Sequence, residues 1–201
     1  MTVTDACPEV GELANAPWIS LPRRPQVPHQ VGAWLDGLDP RHLPDGKFEA
    51  QLDDVALGVT ALLAAAKTPP SGWQSWLAND CAALADGFAR QMGAERVCVR
   101  LDRISDDACC RIHADVATAR MVCTYRGTTT CVVPTSQVRA ASKNPDTYDG
   151  PFVTPDRFEA AILPGTLSAS PVLHRSPRIE GSGQVRLLLV VSSAGPGGLV
   201  V

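Results

Sequence analysis

Arg96-Val97-Cys98-Val99-Arg100-Leu101-Asp102-Arg103-Ile104 marks the point where the chain changes character. Val97, Val99 and Leu101 alternate with Arg96, Arg100 and Asp102. Such alternation puts one set on each side of an extended strand and makes one side apolar. Upstream, the period is helical. Phe48, Leu52, Val55, Ala56, Val59, Leu62 and Leu63 recur at helical spacing until Pro69-Pro70 stops the run. Ser71 is placed as the N-cap of a second helix from about Gly72 to Gly93, with Trp73, Trp76, Leu77, Cys81, Leu84, Phe88 and Met92 on its apolar side. Downstream, short apolar runs at 121–125, 129–133, 170–174 and 185–192 are predicted strands, 158–163 is a strand or a short connector, and the polar stretch 135–157 reads as a long loop.

Helices followed by a run of short strands predict an α+β fold. The expected architecture is N-terminal helices packed on a C-terminal β-sandwich or a compact double-stranded β-helix of jelly-roll or cupin type. Residues 1–45 form a Pro-rich arm in which prolines at 8, 17, 22, 25, 28, 40 and 44 forbid long helices. Residues 46–94 form a helical layer and 95–201 a β-rich metal-binding core, all within a single domain.

A chain of 201 residues with 45% hydrophobic content is long enough to bury a core, and its net charge of -3 implies no partner. There is no basic run of the kind that grips nucleic acid. No apolar stretch reaches the length of a membrane span, and residues 1–12 lack the basic start of a secretory signal, so a cytoplasmic protein is expected. Seven cysteines, an odd number, argue against a disulfide framework. Most are expected to be small buried hydrophobes.

The chain has four histidines. His29 and His42 lie in the Pro-rich arm and read as surface residues. His113 is followed two positions later by Asp115, and residues two apart on an extended chain point the same way. His174 lies just past the Pro164-Gly165 turn, and Arg186 interrupts an apolar strand twelve positions later. Two imidazoles and one carboxylate on one side of a metal, with open positions opposite, suit non-haem Fe(II). A guanidinium inside a strand suits a carboxylate held by two parallel hydrogen bonds.

This ordered set resembles the Fe(II)/2-oxoglutarate dioxygenases, which implies iron on His113, Asp115 and His174, with Arg186 and Tyr125 on the carboxylate of 2-oxoglutarate. A second resemblance covers most of the chain beyond the arm. Cys109-Cys110-Arg111-Ile112-His113-Ala114-Asp115, then Met121-Val122-Cys123-Thr124-Tyr125-Arg126-Gly127, then His174-Arg175-Ser176-Pro177 and Arg186-Leu187-Leu188-Leu189 are similar to the signature blocks of the bacterial domain-of-unknown-function family 1826. That resemblance implies one site containing Cys109, His113, Asp115, Tyr125 and His174, and a metal-handling role linked to zinc homeostasis.

These residues admit three readings. The first is an Fe(II)/2-oxoglutarate-dependent oxygenase acting on a small-molecule substrate, with 135–157 as a substrate lid. The second is a non-catalytic zinc protein whose tetrahedral site is closed by Cys109, His113, Asp115 and His174. The third is a metal-free scaffold with structural histidines. A strand edge near Val185 would serve a homodimer.

Overall fold

The computed structural model describes residues 17–21 and 27–194; Cys7, the prolines at 8, 22 and 25, and the Gly-rich tail beyond Ala194 lie outside the described residues. Among the described residues the fold is mixed α/β, with four α-helices and antiparallel sheets. The alternating stretch Arg96–Ile104 is its long strand β3, which follows β1 (Ile19–Ser20) and β2 (Gly46–Gln51) in the chain. With β4 (Ala119–Arg126), β6 (Ala160–Pro164) and β8 (Arg186–Ser193) these strands form a six-stranded sheet in the order β1-β6-β4-β8-β3-β2, with every pairing antiparallel.

The period of two decides what each side of this sheet meets. Val97, Val99, Leu101, Met121, Cys123, Leu187, Leu189 and Val191 share a core with the helices α1 (His29–Gly37), α2 (Val55–Ala65) and α3 (Gly72–Met92). Burying each such Val or Leu stabilises by about 1.5–3 kcal/mol relative to exposure. The alternate residues Val122, Leu188 and Val190 turn to the opposite side and join Trp18, Val132, Ala161, Leu163 and Val172 in a second cluster.

Across that second cluster lies a smaller sheet. Its strands β5 (Cys131–Val132) and β7 (His174–Arg175) are extended by single bridges, His113 to His174 and Val132 to Val153. The spatial order is therefore His113, β7, β5, Val153.

Helix α3 keeps its expected limits. Ser71 caps it by accepting the Trp73 N–H at 3.2 Å, and Gly93 ends it in the left-handed conformation at φ 64°. The first predicted helix is corrected: Phe48 belongs to β2, and the helix begins at Val55. Phe48 does touch that helix, because its ring lies over Gly58, where a Cβ would meet it at 2.2 Å. The polar stretch 135–157 contains α4, Val138–Lys143, whose Ala141 packs with Ile112, Val133 and Phe152. The Pro-rich arm holds the nine-residue α1, fitted between Pro28 and Pro40. No helix among the described residues is long and apolar enough to cross a membrane.

Candidate metal centre

His113 and His174 face each other because their backbones exchange both hydrogen bonds, His113 N–H to His174 C=O at 3.0 Å and the reverse at 2.9 Å. Residues paired in this way project their side chains to the same side. The imidazole centroids lie 4.6 Å apart, tilted by 53°. Each Nδ1 lies against the carbonyl two residues earlier, at 2.8 Å from Arg111 O and 3.1 Å from Val172 O. A ring nitrogen facing a carbonyl carries the proton, which leaves both Nε2 atoms as free donors for a metal.

Asp115 completes the set. Its Oδ2 is 3.5 Å from His174 Nε2, and one donor atom from each of the three residues falls within 4.8 Å of the others. Its Oδ1 accepts a hydrogen bond from Arg120 Nη1 at 2.6 Å. Its main-chain carbonyl accepts from Thr166 and Ala117, at 2.8 and 3.0 Å. The Pro164-Gly165 turn makes this possible. A Cβ on Gly165 would lie 2.3 Å from Ala117 O and 2.6 Å from Asp115 O, so only glycine fits. Burial, and next the neighbouring His113, push the pKa of His174 down to about 4 against the opposing pull of Asp115. The ring is therefore neutral near pH 7, the form that ligates metals.

Arg186 is fully buried on the same side of β8 as Leu188 and Val190. Its Nε donates to Thr128 O at 2.6 Å, Nη1 to Ser176 Oγ at 3.2 Å, and Nη2 to Thr130 Oγ1 at 3.5 Å. Burial pulls its pKa down to about 10, so it stays cationic at neutral pH. These partners are all neutral oxygens, so the charge is hydrogen-bonded but not neutralised by them. A cavity of about 370 Å³ opens onto the three candidate donors, and Thr130 and Ser176, which hold Arg186, line it too.

The family model described as a protein of unknown function (DUF1826) matches residues 19–191. The chain belongs to that family. No curated protein matches this DUF1826 chain. Among solved structures it is similar to the dioxygenase for auxin oxidation from rice, at 13% identity over 85% of this chain and 71% of that one, with a TM-score of 0.43. It is similar to a Pseudomonas putida prolyl-4-hydroxylase at 17% identity, over 85% of this chain and 98% of that one, with a TM-score of 0.37. It is also similar to the dioxygenase for auxin oxidation 1 from Arabidopsis thaliana, solved as a binary complex with 2-oxoglutarate, at 14% identity over 85% and 74%, with a TM-score of 0.37.

The structure of this DUF1826 chain brings together His113, Asp115 and His174 and sets Arg186 behind the same cavity. Two other expected site residues are not among the metal donors. Tyr125 is fully buried among the helices on the opposite side of the large sheet, where its hydroxyl donates to Asp80 Oδ2 at 2.5 Å. Its parity in β4, shared with Met121 and Cys123, puts it there. Cys109 lines the cavity but is exposed in a turn at φ 57° and is not part of the donor group. As expected, Cys81, Cys98, Cys123 and Cys131 are buried. Sequence reasoning missed Arg120, Thr130 and Ser176. The available signal for Arg120 was a charge at the start of a strand whose even positions face the second cluster.

Proposed function

We propose that this DUF1826 protein is a non-haem Fe(II)- and 2-oxoglutarate-dependent oxygenase on a double-stranded β-helix. One observation carries the reading: two imidazole Nε2 atoms and one carboxylate oxygen converge on a cavity backed by a buried arginine whose hydrogen bonds go to neutral oxygens. That donor set suits iron and leaves one side of the ion open. The strand path supports the same reading. From β3 the chain runs to His113, β4, β5, Val153, β6, β7 and β8, and the large and small sheets have the orders β3-β8-β4-β6 and His113-β7-β5-Val153. Eight segments shared in this way between two facing sheets are the layout of that barrel.

The residues present fit iron and 2-oxoglutarate. His113, His174 and Asp115 Oδ2 would hold the ion. Arg186 would take the distal carboxylate of 2-oxoglutarate through its guanidinium, with the Thr130 and Ser176 hydroxyls fixing its orientation. Leu188 and Val190 keep that wall apolar, which strengthens the ion pair by excluding water. When bound, iron supplies the oxidation in which 2-oxoglutarate, O₂ and a C–H substrate become succinate, CO₂ and the hydroxylated product. The zinc reading gains nothing from the turn position of Cys109.

The test is turnover of 2-oxoglutarate to succinate by iron-loaded protein. Wild type should release succinate, and His113→Ala should reduce the rate at least a hundredfold while remaining folded. Iron-loaded wild type that neither binds nor consumes 2-oxoglutarate would sink the proposal.

A further inference from the structure

We infer that Arg120 is a positioning residue that holds Asp115 to one-oxygen ligation and so keeps a metal position open. The inference rests on the metal site under Proposed function. Arg120 Nη1 lies 2.6 Å from Asp115 Oδ1, and the side chains are 17% and 8% exposed, so this is a sheltered pair rather than a solvated surface contact. Both residues line the cavity. The other oxygen, Oδ2, faces His174 Nε2 at 3.5 Å, where the ion would sit. The backbone of Asp115 is pinned by Thr166 and Ala117, so the carboxylate is committed between the guanidinium on one oxygen and the metal on the other.

Coordination arithmetic gives this pair its consequence. A six-coordinate ion bound by two imidazoles and one carboxylate oxygen has three positions left. A 2-oxo acid chelates through two of them, and the third remains for O₂. A carboxylate using both oxygens would take that third position. A charge-assisted N–H bond of this length competes with the metal for Oδ1. Neither the His-x-Asp spacing nor the imidazole geometry controls this choice; Arg120 does.

Mn(II) is the probe, because the water molecules on a paramagnetic ion can be counted by water-proton relaxation. The full chain is loaded with Mn(II), with and without 2-oxoglutarate, as wild type, Arg120→Gln and Arg120→Lys. Wild type should carry three bound waters. Arg120→Gln should keep equal or tighter Mn(II) affinity yet lose one water, a relaxivity fall of about one third. Its 2-oxoglutarate affinity should be unchanged or modestly lower, with O₂ consumption impaired. Arg120→Lys, which keeps a cationic donor, should restore the third water. Unchanged hydration in Arg120→Gln overturns the inference. So does loss of Mn(II) from both variants, since Arg120 would then build the site rather than set its denticity. If wild type binds Mn(II) but 2-oxoglutarate displaces no water, the oxygenase reading fails, while the water count in the variants still decides the role of Arg120.

Discussion

Arg186 is the residue whose burial most needs an explanation. A guanidinium removed from water costs several kcal/mol unless its donors are met, and here Thr128, Thr130 and Ser176 meet them without carrying a compensating charge. In the proposed site, the carboxylate of 2-oxoglutarate would supply that charge. Arg186→Lys should weaken 2-oxoglutarate binding by about 1.5–3 kcal/mol, because a single ammonium replaces a two-pronged contact. Iron affinity should stay within a factor of two, since Arg186 is not a metal ligand. Isothermal titration of both ligands checks this, and equal losses for iron and 2-oxoglutarate would place Arg186 in the fold rather than the site. At this scale the sequence was readable where chemistry disagreed with context. An arginine inside the apolar run 185–192 stands out, as does a histidine two residues before an aspartate. Tyr125 was misplaced although its parity was visible, because similarity of the surrounding block outweighed the alternation that governs a strand.

Gly165 shows how an element carries a site without taking part in its chemistry. The turn after β6 lies against the carbonyls of Asp115 and Ala117 at a separation that leaves no room for a side chain. Gly165→Ala should destabilise the protein by about 1–3 kcal/mol as the turn and the Asp115 segment move apart. The same shift should weaken metal binding tenfold or more. Urea unfolding and a metal titration on one preparation test the pair of effects; a destabilised variant with intact metal affinity would show that the turn supports the fold alone. The long elements were legible in the sequence. β3 and β8 run for nine and eight residues, and their alternation repeats often enough to be read. β5 and β7 have two residues each, too few to display any period. Phe48 fitted a helical pattern because it does pack on a helix, but from the neighbouring strand. Nothing local distinguishes those two cases.

The whole molecule divides its stability unevenly between its sheets. The large sheet has long pairings and a core filled by three helices. The small sheet, which supplies both histidines, has two two-residue strands and two single-residue bridges. With so few ladder bonds, such a region should be the first to open. A metal bound by His113, Asp115 and His174 would tie its outer segment to its neighbour. Ligand that binds only the closed form adds about 2.7 kcal/mol at a hundredfold excess over Kd. Hydrogen exchange should therefore slow around residues 109–115 and 172–176 when metal is added, and stay unchanged in β3 and β8. Uniform slowing across both sheets, or none, would contradict this division.

With metal bound as proposed, the one-residue bridge between His113 and His174 would link the protein's survival to its supply of metal. A chain starved of the ion would expose its 105–118 segment to proteases while its larger sheet was still intact. The amount of protein present in a cell would then follow the available metal without any change in its synthesis.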